Sequence, residues 1–544
     1  MRRTVGAKIA VDVGGTFTDV VLLDESKGRL FCTKTPTTHG DLAEGVMRGL
    51  EEILQAASLQ GDGLQVIHGT TIGTNAVVEG KGAKVGLITT EGFEDVLEIR
   101  RVARPKEAAF DFWVDNPPPL VPRYLRKGAK ERINAEGKVV VPLDPSSLEE
   151  AFKAFEEEGV EAVAVSLLFS FLNPTHERRI RDLLEERFPK VHISLSSEVC
   201  PEFREYERTS TTVMNAYLGP VIEEYLRELL QRLKGRHPRC QLFIFQSNGG
   251  SMPAEVAASY AVSLINSGPA GGAIAASFVS HLTGRQRAIG IDMGGTTCDI
   301  SVIEGGVPKT TTWGGVSEYP VKLPMIDLRT IGAGGGSIAW VDDLGVLHVG
   351  PQSAGSDPGP ACYGWGGELP TVTDANCVLG RLNPRYFLGG RFDLKPDRAA
   401  EAIRRHVADK MGLTVEEAAL NIVKIVNANM AKGISKVSME KGYDLRDFAL
   451  IAFGGAAPLH ACELAEGLEI GSVIVPFMNG GLSAVGLAIS EVQHDYVKTI
   501  AKKAQGLSPE ELSPTSANCS RRGLGSSRGR GSIGPKRSSS GQPT

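Results

Sequence analysis

The sequence predicts an α/β protein built by duplication, and three observations carry that reading. Strand and helix signals alternate along most of the chain. The run Ile9-Ala-Val-Asp-Val-Gly-Gly-Thr-Phe-Thr-Asp-Val returns as Ile289-Gly-Ile-Asp-Met-Gly-Gly-Thr-Thr-Cys-Asp-Ile. Finally, 544 residues exceed what one hydrophobic core serves, so two or more domains are expected. The leading aspartates of the repeat, Asp12 and Asp292, stand 280 positions apart (292 minus 12). Solenoid repeats recur every ~20–50 residues, so this spacing means duplicated domains. The halves are placed at 1–285, with the first glycine loop, and 286–495, with the second. Residues 496–544 form an aberrant tail.

Taken in order, Ile9–Val13 and Asp19–Asp24 read as strands around a Gly-Gly-Thr turn. Leu42 to Ala57 puts Val46, Leu50, Ile53, Leu54 and Ala57 on one helical face, with Asp41 as N-cap. Val160–Phe171 reads as a buried strand and Glu177–Phe188 as an amphipathic helix; Tyr217–Leu233 and Val415–Lys436 are further helices. Ser513–Thr544 is rich in Ser, Gly, Arg and Pro and has no Asp or Glu. It offers too little apolar surface to offset its ordering entropy, so disorder is expected there.

Bulk properties narrow the function. A net charge of -5 argues against a chain-wide nucleic-acid or membrane-surface role. No segment approaches the ~20 apolar residues that cross a bilayer. The eight cysteines include no Cys-x-x-Cys pair and read as reduced thiols, which predicts a cytoplasmic protein.

The repeated loop carries the chemistry. Two glycines let backbone approach a phosphate closely, and successive amide N–H groups in the turn make an anion nest. Gly14, Gly15, Thr16 and Thr18 supply this in the first copy, and Gly294, Gly295, Thr296 and Thr297 in the second. Asp12 and Asp292, each ending a strand, suit a hydrated Mg²⁺ (Mn²⁺ being the alternative ion) and are the catalytic and metal-holding candidates. One such loop also makes plain hairpins; a turn requirement alone would not recreate both aspartates. There is no P-loop, no Gly-x-Ser-x-Gly run stands as an elbow between a strand and a helix, and Gly332–Ser337 falls one glycine short of a dinucleotide fingerprint.

A third cluster, Ile451-Ala-Phe-Gly454-Gly455-Ala456-Ala457-Pro458, ends a strand and leads into a helix at Ala461–Glu466, a form that suits adenosine against bare backbone. The two phosphate loops followed by this one resemble the actin, sugar-kinase and heat-shock-chaperone ATPase superfamily. That resemblance implies a duplicated actin-like (ribonuclease H-like) fold, two domains around a cleft that takes ATP.

More specific runs are His68-Gly-Thr-Thr-Ile-Gly-Thr-Asn75, Phe203-Arg-Glu-Tyr-Glu-Arg-Thr209, Gln246-Ser-Asn-Gly-Gly250 and Asn266-Ser-Gly-Pro-Ala-Gly-Gly272. Ile331–Ser337, Ser356–Gly364 and Pro370–Asn376 join them. Together they resemble the hydantoinase A / 5-oxoprolinase family, which includes subunits of acetone and acetophenone carboxylases, over about residues 5–500. The resemblance implies ATP-dependent hydrolysis of a cyclic amide, a hydantoin or 5-oxoproline, through phosphorylation of the amide oxygen. It often implies a hydantoinase B-type partner chain as well. A ketone carboxylase subunit and a conformational-switch ATPase are the alternatives.

Two departures stand out. The family's Gly-Gly-Ala-Gly-Pro reads Gly454-Gly-Ala-Ala457-Pro here, which would crowd the nucleotide if that position needed positive φ. Family chains also continue into folded sequence where this one turns to Ser/Arg/Gly text after about Leu512, as a frameshifted or truncated end would.

Other candidates divide between two readings. His68, Thr70, Thr71 and Asn75 contact substrate or satisfy their own loop. Arg100, Arg101 and Arg104 meet a carboxylate or form a solvated face. Cys362 and Cys377, near His348, Asp357 and Asp374, are a weak metal set against a structural alternative, and His460 reads as structural.

Overall fold

Three strands open the chain as an antiparallel meander: β1 (Lys8–Val13), β2 (Phe17–Asp24) and β3 (Arg29–Pro36). The coordinates are a computed structural model that describes residues 7–15, 17–38, 40–59, 63–104, 111, 113–497 and 499–500. The tail from residue 501 therefore lies outside the described residues. Helix α1 (Leu42–Ala57) follows, its N-terminus capped by Asp41, whose carboxylate accepts from the Glu44 amide at 2.9 Å. Strand β4 (Gln65–Thr70) then lies parallel to β1, β5 (Gln241–Phe245) parallel to β4, and β6 (Ser251–Pro253) closes the edge. The sheet order is β6-β5-β4-β1-β2-β3.

A second sheet repeats the plan. Strand β7 (Arg287–Met293) pairs antiparallel with β8 (Cys298–Glu304), and β8 pairs antiparallel with β9 (Leu328–Ile331). On its other side β7 runs parallel to β10 (Ala449–Phe453), which runs parallel to β11 (Val473–Ile474). Each sheet thus has an antiparallel meander on one flank of its first strand and parallel strands on the other. Asp12 faces Asp19 across β1/β2 as Asp292 faces Asp299 across β7/β8. This is the duplicated actin-like fold of the sequence reading.

Helices α2 (Ser267–Leu282), α3 (Val415–Lys441) and α4 (Leu482–Ile489) cover the sheets. Helices α2 and α4 meet where neither has a side chain: a Cβ on Gly486 would stand 1.9 Å from the Gly271 carbonyl oxygen. Their small residues Ala270, Ala273, Ala484 and Ala488 share one buried cluster with Ala10, Val21 and Ile67 of the first sheet and Ile451 and Phe453 of the second. A contact of glycines at this crossing lets two helices fit where two layers of larger side chains would not.

By their contacts the described residues fall into two units, one within Met1–Val85 and Met214–Gln493, the other within Gly86–Val213 and the stretch from His494. Both copies of the 280-residue repeat lie in the first unit, so this grouping does not follow the repeat.

The second unit has its own parallel sheet, in which Ala162–Ser166 pairs with His192–Leu195. The strand expected over Val160–Phe171 stops at Ser166. Glu177 accepts the Leu167 amide at 2.9 Å and Thr90 the Leu168 amide at 3.0 Å, which diverts the backbone from its ladder into a turn. The helices expected at Glu177–Phe188 and Tyr217–Leu233 span Thr175–Arg187 and Glu205–Arg236. Among the described residues, no single helix is long and apolar enough to cross a membrane.

Candidate nucleotide-binding site

The two glycine loops fold alike. The Gly14 amide donates to the Phe17 carbonyl at 3.1 Å, and the Gly294 amide to the Thr297 carbonyl at 3.0 Å. Gly15, Gly295 and Thr296 are exposed at the turns, Gly15 and Gly294 with nothing within 4 Å of where a side chain would start. Thr16 lies outside the described residues. Thr18 is buried, its hydroxyl 3.1 Å from that of Thr37, which itself donates to the Gly14 carbonyl at 2.9 Å. Thr18 therefore braces the first loop from beneath, where the sequence reading had placed it among the nucleotide contacts.

Both leading aspartates reach one face of α2. A Cβ on Gly268 would be 3.3 Å from an Asp12 carboxylate oxygen, and one on Gly272 3.1 Å from an Asp292 oxygen. Residues four apart on a helix lie about 6 Å apart along its axis. The small residues of Asn266–Gly272, one of the family-like runs, bring this helix against both carboxylates.

The electrostatics follow from burial. The Asp12 carboxyl is pushed up to about 7 by desolvation, then by Asp19 and Asp292, with Lys34 opposing. Asp299 is also raised to about 7, by burial first, against a hydrogen bond from Thr330. Asp292 is raised by burial although the Ser483 hydroxyl donates to it at 2.6 Å. Asp19 is raised by burial against its ion pair with Lys34, whose ammonium lies 2.7 and 2.9 Å from the two carboxylate oxygens. Four carboxylates thus gather with less positive charge than they carry. Asp19 and Asp299 were visible as the repeat's second aspartate; Lys34 and Ser483 carried no signal of their own.

The third glycine cluster touches the second loop. Gly454 has φ +82, and a Cβ there would lie 2.3 Å from Asp292 and 2.6 Å from the Met293 carbonyl oxygen, so only glycine fits. The Ala456 amide donates to that same carbonyl at 2.9 Å, and Gly455 stays open. Ala457 corrects the crowding expectation: it begins a short helical turn, has no positive φ and is buried in the core, so alanine is accommodated there. A further loop reads from sequence as an incomplete dinucleotide fingerprint and as part of a family-like run, with no place in the site assigned to it. The Gly332–Ser337 loop lies on the second glycine turn, with Gly335 and Gly336 amides donating to the Gly294 and Gly295 carbonyls at 2.9 and 2.6 Å.

The substrate candidates fare differently. His68 is fully buried on β4 between the Val11 carbonyl (3.2 Å) and the Tyr225 hydroxyl (2.8 Å). Burial pushes its pKa down to about 4, so it is neutral. Its ring is a core strut, a correction to the substrate role. The Thr70 hydroxyl is buried and accepts the Ile72 amide at 3.2 Å, and Thr71 bonds weakly to the Val13 carbonyl and Asn75, both at 3.4 Å. Asn75 is exposed.

The remaining basic and metal candidates settle into local roles. Arg100 donates to Tyr206 at 3.0 Å, Arg101 pairs with Glu207, and Arg104 donates to the Asp111 and Val114 carbonyls. Cys362 and Cys377 sit in a buried cluster, and His348 pairs with Asp342. Among the described residues no group of three or more His, Cys, Asp or Glu forms a metal cluster. His460, as expected, is structural, held by Asn427 at 2.7 Å and Asn376 at 3.2 Å.

Two matching sheets, each offering a glycine turn and a partly buried pair of aspartates, define a protein of the actin-like class. The sequence matches the Hydantoinase/oxoprolinase N-terminal region over residues 8–188 and Hydantoinase/oxoprolinase over 208–496. The chain belongs to the hydantoinase/oxoprolinase family. It is 42% identical to the caprolactamase subunit alpha of Pseudomonas jessenii, over 91% of this chain and 71% of that one. It is 36% identical to the acetophenone carboxylase gamma subunit of Aromatoleum aromaticum, over 90% and 68%. The crystal structure of the ATP-dependent caprolactamase from Pseudomonas jessenii superposes with a TM-score of 0.84 at 39% identity, covering 97% of this chain and 78% of that one.

Proposed function

We propose that this chain is the ATP-using subunit of an enzyme that hydrolyses a cyclic amide. The observation that carries the reading is the pair of equivalent glycine turns, with Asp12 and Asp292 against one helix face, in a chain whose similarity is greater to a caprolactamase (42%) than to a ketone carboxylase subunit (36%). Backbone amides of Gly15 and Gly295 would cradle the phosphates, the Gly14 and Gly294 amides closing the turns beneath them, and Gly454, Gly455 and Ala456 would face adenosine. Mg²⁺ would suit the donor set, because Asp12 and Asp292 turn carboxylate oxygens toward one face of α2 with Asp19 and Asp299 opposite them in register. Asp12 and Asp292 would hold it, and it would supply charge neutralisation at the triphosphate.

An unstrained amide resists water because its carbonyl is resonance-stabilised. Transfer of the γ-phosphoryl group to the amide oxygen makes an imidate phosphate and releases ADP. Water then adds at the activated carbon, the carbon–nitrogen bond breaks, and cleavage of the carbon–oxygen bond of the resulting acyl phosphate by a second water releases phosphate. The protein's part is to align the amide oxygen with the γ-phosphate and to exclude stray water. A hydantoinase B-type partner chain would complete the site, in keeping with the subunit names of the relatives.

The test pairs the chain with that partner and adds hydantoin, 5-oxoproline or caprolactam with ATP. Turnover should rise with one of them, and ¹⁸O from its carbonyl should appear in the released phosphate. If ATP binds but no cyclic amide stimulates turnover or passes label, while acetone or acetophenone with bicarbonate does, the carboxylase reading replaces this one.

A further inference from the structure

Lys34 is the basic side chain whose charge bears on Asp12, Asp19 and Asp292 alike. It stands on β3 opposite Asp19 in register, and its ammonium lies 5.4 Å from the centre of the Phe17 ring, directly after the first phosphate loop. Its contacts are the two Asp19 carboxylate oxygens and the Gly480 carbonyl at 3.0 Å. An ammonium has three donors, so these three contacts occupy it. About a quarter of the side chain remains exposed.

The segment that holds the third contact also reaches the second aspartate and the third glycine cluster. The Asn479 carbonyl accepts the Gly454 amide at 2.9 Å, Gly480 holds Lys34, and Ser483 donates to Asp292. Met478, which starts the turn, has φ +62, a left-handed conformation that non-glycine residues rarely adopt. The Met478–Ser483 segment therefore links Lys34, the second aspartate and the adenosine loop.

We propose that Lys34 is a catalytic residue that meets the terminal phosphate of ATP, exchanging its weakest contact, the neutral Gly480 carbonyl, for a phosphate oxygen while keeping Asp19. This rests on the reading of the site as an ATP site. A triphosphate entering beside four carboxylates needs a fixed cation, and a charge-assisted bond to phosphate is about twice as strong as one to a neutral carbonyl. ADP lacks the γ-phosphate, so it leaves Lys34 on Gly480. The side chain is thus a discriminator of ATP from ADP, and Gly480 gives up its contact with Lys34 when ATP is present.

The test measures ATP and ADP binding calorimetrically for the wild-type chain, Lys34→Met, Lys34→Arg and Asp19→Asn/Lys34→Met. Lys34→Met should weaken ATP on the order of tenfold or more and ADP less than about threefold, with Lys34→Arg recovering most of the difference. The double variant should stay as weak for ATP as Lys34→Met. Equal losses for both nucleotides, no loss, or recovery in the double variant would each mean that Lys34 only neutralises Asp19, and would overturn the proposal. Failure of the wild-type chain to bind either nucleotide would instead overturn the ATP site itself.

Discussion

Asp292 and Gly454 show how tightly single residues are specified here. A methyl group on Gly454 would enter the space of the Asp292 carboxylate from a backbone conformation alanine rarely adopts. Gly454→Ala should therefore cost about 1–3 kcal/mol and abolish nucleotide binding, whereas Gly455→Ala, which meets open space, should melt within about 0.5 kcal/mol of wild type. Thermal melts with and without ATP check both; a Gly454→Ala chain as stable as its neighbour variant would refute the close approach. His68 gives a pH prediction. Its folded pKa of about 4 lies below the ordinary 6.5, so the unfolded chain takes up a proton first as pH falls. The contribution is full above pH 6.5 and declines by at most about 3 kcal/mol toward pH 4. His460 is lowered to about 4 too, by burial and then Arg381, and adds to the same slope. His68→Gln should flatten the fall of melting temperature between these pH values. At this scale the sequence showed the aspartates because each appears twice. It hid the place of His68, since a histidine among Gly and Thr reads as loop whereas His68 lies on an inner strand paired on both sides at that position. Lys34 was illegible because its partners come from a hairpin opposite and from a turn 446 residues away.

Among the elements, α1 and its cap were legible from periodicity, since its apolar face and Asp41 are local properties. The role of the Gly332–Ser337 loop was not, because its amides bond to a turn about 40 residues earlier in the chain and local text cannot announce that. Helix α2 was quoted for its glycines, yet the reason for them needs a second helix. Gly271 meets Gly486 of α4, while Gly268 and Gly272 meet the aspartates. Gly486→Ala should push α4 away from α2, with an overpacking cost of about 1–3 kcal/mol. Because α4 carries Ser483, the bond to Asp292 should loosen with it. The expected outcome is a lowered melting temperature together with weakened ATP binding, read by calorimetry on folded protein at low temperature. A variant that melts early but binds ATP normally would show that α4 supports the fold without positioning the site.

At the scale of the whole molecule, the duplication makes a claim about number. Two turns of the same design either bind one nucleotide between them or one nucleotide each. The shared helix face of α2 and the influence of Asp292 on the Asp12 proton favour a single site used by both copies. Titration should then give one ATP per chain. Saturation at about 100 times the dissociation constant should stabilise the fold by about 2.7 kcal/mol. Asp12→Ala and Asp292→Ala should each remove most of that stabilisation and of the ATP turnover, and the double variant should be little worse than either single one. Residues that act as a unit lose their function once, so their effects do not add. Two independent sites would give two nucleotides per chain, with each aspartate variant keeping about half of the binding capacity and the double variant losing all of it. That result would separate the two copies into sites of their own, and the shared helix face would then be a feature of packing alone.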